Sequence, residues 1–225
     1  MLFIHGALGS AKQFNPLISL LSNEVDCHAI DLPQHGLNTT KVVPTMLNYV
    51  DYCIDYIEQH FSTPIPIFRY SMGGYIALLI GHKRPDLVQQ IATLATKFEW
   101  EPESTQKQLD KLDASIMAAK IPAYTAYLDS LHTSTPWQTV VENTHKVITD
   151  LGKNPPISNQ LLSELQMPCR LGVGDHDVMV SVNETYERYR QIKQGSFYVL
   201  PNTIHPLEHV SPELLAHQIK HFITN

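Results

Sequence analysis

The stretch "IFRYSMGGY", residues 67–75, decides how this chain is read. A strand-like run ends on a serine, and two glycines open an apolar helical run. That is the local pattern of a sharp strand-to-helix turn with Ser71 at its tip. The ordinary form of such a turn is G-x-S-x-G; here Gly73 fills the last position and Arg69 stands at the first. Gly73 and Gly74 let the outgoing helix approach closely. A serine held strained in this way displays its hydroxyl for chemistry. Arg69 crowds the turn, so its stem is expected to run past it toward solvent. Arg69→Gly is then expected to relieve overpacking and to raise stability.

Outward from that turn, short apolar runs alternate with helical patterns. "LFIH" (2–5), "DCHAIDL" (26–32), "PIPIFRY" (64–70), "LVQQIATLAT" (87–96), "PCRLGVG" (168–174) and "SFYVLP" (196–201) read as six strands. Helices are expected over 14–22, 45–60, 73–83 and 181–192 and from about Ser211 onward. In the 45–60 helix, Leu47, Val50, Ile54 and Ile57 are placed on one face. The 73–83 helix is apolar nearly all round, as a helix buried behind a central strand would be. At the last helix, Pro212 takes the first position and Val210 is placed to staple onto Leu215. The alternation implies an α/β fold, a mostly parallel sheet with helices on both faces. Residues 98–162 carry no convincing strand and are too long for a bare loop. They read as a helical insertion, leaving 1–97 and 163–225 as the core.

The chain has 225 residues, 43% hydrophobic and 17% charged, enough for a sizeable core. A net charge of −6 without a basic run argues against nucleic acid and anionic membranes. No apolar run reaches the roughly 18 residues of a membrane span. "MLFIHGALGS" lacks the basic start and long apolar region of a secretory signal. Cys27, Cys53 and Cys169 are odd in number and far apart. The expectation is a cytoplasmic protein with reduced thiols.

Ligands of an open parallel sheet bind at the carboxyl ends of its strands. After the six strands come "HGALGS", "DLPQHGLN", "YSMGG", "KFEWE", "DHDVMVS" and "NTIHPLEH". A serine, an acid and a histidine thus occur in that order on such loops. Ser71 is the candidate nucleophile and His205 the candidate base, with His209 its competitor. Asp177, Asp175 and Glu99 are the acids these loops offer. His217 and His221 are four apart on one helix, but no third ligand is indicated and a solvated face is the better reading. "HGALG" has no G-K-[ST] and "GVGDHD" is not G-x-G-x-x-G, so neither a phosphate loop nor a dinucleotide is implied. No cofactor or metal is expected. "DLPQHG" reads as structural.

The motifs "HGALGS", "DLPQHG", "YSMGG", "GDHDVMV" and "IHPLEH" together resemble the α/β-hydrolase superfamily along the whole chain. The resemblance implies a Ser71–His205–Asp177 triad, with the insertion in the position of a helical cap. It also implies an oxyanion hole formed by the N–H groups of Ala7 and Met72. Arg69 departs from the family pattern, and the family's first two strands have no counterpart here. The expected activity is hydrolysis of a small ester, thioester or similar acyl compound. "IHGALGS…AIDLPQHG" with "YSMGG" is also similar to the MenH-like lyases, which eliminate pyruvate with the same triad. Those carry a basic residue just after the double glycine, where this chain has Tyr75. A third reading is a non-catalytic binding module on the same scaffold. Tyr70, Trp100 and Trp137 are the candidate substrate contacts. The insertion's aromatics, Tyr124 and Tyr127 among them, serve equally well as its own core.

Overall fold

Leu2–Ile4 (β1), His28–Ile30 (β2), Ile65–Tyr70 (β3), Val88–Leu94 (β4), Cys169–Gly174 (β5) and Gly195–Leu200 (β6) form one sheet. The coordinates are a computed structural model describing residues 1–224. Strand order is β2-β1-β3-β4-β5-β6, and every neighbouring pair is parallel. The order turns back between β1 and β3, which opens a crevice at their carboxyl ends. Residue alternation along the strands divides the interior in two. Leu2, Ile4, Ile65 and Ile67 enter one core with Met46–His60 (α2) and Met72–Lys83 (α3). Phe3, Phe68, Tyr70 and Leu94 enter the other, with Asn15–Leu21 (α1) and Pro212–Ile223 (α10).

The helices form where capping and periodicity place them. Thr45 caps α2 by accepting from the Asn48 N–H at 3.2 Å. The buried face of α2 is Met46, Tyr49, Val50, Cys53, Ile54 and Ile57. Leu47, expected on that face, is 57% exposed, because it lies one residue beyond Met46 and so off the stripe. Helix α3 is buried from Gly73 to Gly81, as its all-round apolarity requires. Ser211 caps α10, and Val210 and Leu215 are both buried beside its first turn.

Between β4 and β5 run five helices: Pro102–Leu109 (α4), Ala114–Lys120 (α5), Pro122–Leu131 (α6), Trp137–Lys153 (α7) and Asn159–Glu164 (α8). Leu8, Met117, Leu128, Trp137, Val140 and Val141 make a small third core. Val147, Leu151, Ile157 and Leu162 instead join the core beneath α2 and α3. This segment is therefore anchored in the main body at its carboxyl half. The remaining helix, Val182–Tyr189 (α9), is capped by Ser181. All three cysteines are free. Among the described residues no helix is long and apolar enough to cross a membrane.

Candidate active site

Ser71 joins β3 directly to α3 with φ 51° and ψ −120°. A non-glycine residue at such angles costs about 1–3 kcal/mol and persists only where its surroundings enforce it. Its N–H donates to Leu94 O at 2.8 Å, and its carbonyl accepts from the Gly74 N–H at 2.9 Å. A Cβ on Gly73 would stand 2.5 Å from Ile4 O, and one on Gly74 1.9 Å from Thr96 Oγ1. Only glycines allow α3 to seat this close. Gly6 is held in the same way, since a Cβ there would lie 2.9 Å from Ser71 Cβ.

His205, on the loop after β6, brings Nε2 within 3.2 Å of Ser71 Oγ. Its Nδ1 lies 2.7 Å from Asp177 Oδ2. The other oxygen of Asp177 accepts from the N–H groups of Met179 (2.8 Å) and Val180 (2.9 Å). The network thus assigns the proton to Nδ1 and leaves Nε2 as an acceptor facing the serine. Asp175 is exposed and accepts from the Thr203 N–H at 3.0 Å, a bond that holds its carboxyl below the usual range. It braces the loop carrying His205. Glu99 is exposed and His209 lies in a short exposed 3-10 turn, and neither enters this chain of hydrogen bonds. His217 and His221 are on the exposed face of α10. Among the described residues no His/Cys/Asp/Glu cluster has the makeup of a metal site.

Ala7 lines the cavities beside Ser71. Met72 is the first residue of α3, where helix N–H groups have no intrahelical acceptor. The loop carrying Ala7 is pinned by buried histidines the sequence reading did not single out. His5 Nδ1–H donates to Gly6 O at 2.8 Å, and its Nε2 accepts from the Leu32 N–H at 3.0 Å. His132, from the end of α6, accepts from the Gly36 N–H at Nδ1 (2.9 Å) and donates from Nε2 to Leu8 O (3.0 Å). His35 packs between them, its ring centre 5.0 Å from that of His5 and 5.7 Å from that of His132. Burial pushes His5 down to about 3, and lowers His35 and His132 as well. All three are neutral struts. The "DLPQHG" turn is fixed by Asp31, which accepts from the N–H groups of Ala11 and Leu37.

Two cavities meet at Ser71. The inner one, about 60 Å³, is lined by Ala7, Met72, Tyr75, Trp100, Met179 and Val180. The outer one, about 360 Å³, reaches past Tyr70 and Tyr124 to Pro206 and Glu208. Trp100 therefore lines the inner cavity. Tyr70 lines the outer one, but its hydroxyl is already committed to His205 O at 2.6 Å. The expectation for Trp137 is corrected. It lines neither cavity and is buried in the small third core with Leu8, because it opens α7 on the face that meets Leu128 and Met117.

The expectation for Arg69 is corrected too. Its side chain does not reach solvent; the residue is 0% exposed. β3 is a central strand between β1 and β4, and alternation turns Arg69 into the core under α2 and α3 with Ile65 and Ile67. Its Nη1 donates to Leu2 O (2.7 Å) and Phe68 O (3.0 Å), while Nε and Nη2 have no partner. The elbow is formed regardless.

The family model described as alpha/beta hydrolase fold matches residues 1–120. Among curated proteins, the chain is 30% identical to (E)-2-((N-methylformamido)methylene)succinate hydrolase of Acinetobacter baylyi over 95 residues. That stretch is 42% of this chain and 36% of the relative. It is 24% identical to 2-(acetamidomethylene)succinate hydrolase of Mesorhizobium japonicum over 99% of this chain and 87% of that protein. Among solved structures, NosK from Streptomyces actuosus superimposes with a TM-score of 0.83 at 21% identity, covering 98% of this chain and 96% of that one.

Proposed function

The chain belongs to the alpha/beta-hydrolase fold family of enzymes, and we propose that it is a serine hydrolase of small esters, thioesters or related acyl compounds. The observation that carries this is the unbroken relay from Ser71 Oγ through His205 to Asp177, at 3.2 and 2.7 Å, with the serine on a strained turn. In this mechanism Ser71 Oγ attacks the acyl carbon and His205 Nε2 takes its proton. Negative charge on the carbonyl oxygen is met by the N–H groups of Ala7 and Met72. As the tetrahedral species collapses, His205 returns the proton to the leaving group. Water then attacks the acyl-enzyme by the same route, with Asp177 stabilising the imidazolium at each stage. The inner cavity takes the acyl group, and the leaving group departs through the wider outer one. Residues 98–162 serve as a cap over both.

Both sequence relatives are, by name, hydrolases of substituted succinates, which favours short carboxylic substrates. A lyase of the MenH-like kind fits less well. Tyr75, which stands where those enzymes carry a basic group, has its hydroxyl bonded to the Ile157 N–H at 3.0 Å. A fluorophosphonate probe tests the main reading. It is expected to label Ser71, and Ser71→Ala should abolish labelling and lower ester turnover by at least about 10³-fold. Near-normal turnover in Ser71→Ala would remove the serine from the reaction.

A further inference from the structure

The inner cavity is apolar around Ser71 but ends in groups that an apolar acyl chain does not need. Lys97, Trp100 and Gln108 line it together. Lys97, on the loop after β4, has a side chain only 11% exposed. Its ammonium makes no hydrogen bond among the described residues. It forms an ion pair with Glu184 Oε2 at 3.8 Å, a separation beyond hydrogen-bond reach. Glu184, 1% exposed at its side chain, is held by other donors, since its Oε1 accepts from the N–H groups of Phe98 and Glu99. Trp100 Nε1 is buried and has no partner in the fold. The Lys97 ammonium lies over the Trp100 ring, 5.8 Å from its centre, and both residues line this cavity.

A buried donor without an acceptor destabilises the fold. An ammonium needs acceptors for three protons. A fold that carries both in one cavity wall gains from a ligand that brings oxygen lone pairs to them. A carboxylate meets that need better than a neutral carbonyl, because charge-assisted bonds to lysine are the stronger kind. We infer that the inner cavity takes an acyl group ending in a carboxylate, held by Lys97 and Trp100 Nε1 with Gln108 beside them. The substrates are then half-esters, half-thioesters or half-amides of short linear dicarboxylic acids. Lys97 sets specificity and takes no part in the chemistry. This rests on the proposed assignment of the inner cavity to the acyl group.

The test separates binding from turnover. Ser71→Ala protein is titrated calorimetrically with succinate, glutarate and adipate, and with butyrate and valerate as apolar counterparts. The expected result is that one dicarboxylate binds at least about tenfold tighter than any monocarboxylate, as one charge-assisted contact allows. Adding Lys97→Met should erase that ratio, and Lys97→Arg should restore part of it. Trp100→Phe, which keeps the ring and removes the N–H, should lower the ratio without the loss of charge. It stands in should Lys97→Met fail to fold beside Glu184. Equal affinities for the two ligand series, or a ratio unmoved by both Lys97→Met and Trp100→Phe, would overturn the inference. Failure of the hydrolase reading shows separately, as absent probe labelling in the wild-type protein.

Discussion

Replacing Arg69 by methionine should make this protein more stable, and the reason can be worked from its surroundings. Two terms oppose each other. The Nη1 bonds to Leu2 O and Phe68 O are lost, about 1.5–3 kcal/mol each as hydrogen bonds to a charged group. Against them stands the desolvation of a whole guanidinium at 0% exposure, several kcal/mol even after relaxation. Nε and Nη2 add about 1–3 kcal/mol each as unpaired donors. No carboxylate pairs with this arginine among the described residues. Burial lowers its proton affinity well below that of a free guanidinium, yet arginine stays charged in proteins. The cost is therefore not relieved by losing the proton. Methionine keeps the length and flexibility to fill the channel under α2. The net gain should be about 1–4 kcal/mol, as when buried charges elsewhere are replaced by packed apolar groups. In a chain of this size each kcal/mol is worth about 2–4 °C in Tm. Arg69→Gly, which the sequence suggested would stabilise, should instead cost about 2–5 kcal/mol through the cavity left behind. The assay is a urea melt of the three proteins, with probe labelling at Ser71 confirming an intact elbow. A lower midpoint for Arg69→Met at an unchanged m-value would refute the reasoning and imply an acceptor for Nε and Nη2.

Asp177→Asn should lower ester turnover by about 10⁴-fold through the wrong imidazole tautomer, whereas Asp175→Asn should act only on stability; equal losses in kcat would reassign the acid. Gly73→Ala pushes a methyl against Ile4 O and His5 O. It should cost about 1–3 kcal/mol and, by displacing Ser71 by about 1 Å, about 10²-fold in rate; unchanged kcat with a lower midpoint would show that the strain is not transmitted. Stability should fall as pH drops from about 6.5, because the unfolded chain then protonates His5, His35 and His132 while the folded chain does not. Each histidine adds a slope of about 1.4 kcal/mol per pH unit down to its folded value, and urea midpoints that stay flat between about pH 6.5 and 5 would contradict the buried neutral trio.

The frame of this molecule was legible because its signals are local. Six apolar runs with helices between them can pair only as a parallel sheet. The order of serine, acid and histidine on the loops after β3, β5 and β6 then places them at one edge. What stayed hidden depends on which face a side chain takes. Arg69 looked like an obstruction in a turn because sequence does not say that β3 is central. Leu47 lay on a plausible helical stripe, but the observed stripe is set by Met46, Val50 and Ile57. Trp137 carried no signal separating a cavity wall from a small core. Lys97 stood in plain view in "KFEWE", after the fourth strand. Sequence does not say that its side chain lines a cavity with Ser71, ion-paired to Glu184 but without a hydrogen bond.

The backbone strain of this protein has a single address. The described residues with positive φ are Leu8, Gln34, Gly36, Ser71, Ala95 and Asn202. They follow β1, β2, β3, β4 and β6, so every one lies at the carboxyl edge of the sheet. Five are not glycine, and positive-φ angles cost such residues about 1–3 kcal/mol each. Strain of that size survives only where packing over-determines it. Here α3 is buried on all sides, and three neutral histidines tie the Ala7 loop to the turn after β2 and to the end of α6. Each loop can then be sharp enough to bring backbone N–H groups and side chains from separate strands to one point. Relaxing the turns would gain stability and disperse those groups, which is the usual exchange between stability and function at a built site. The histidine trio makes the exchange sensitive to acid. Protonating His5 at Nε2 removes the acceptor for the Leu32 N–H, and with it the bond that joins the Ala7 loop to the turn after β2.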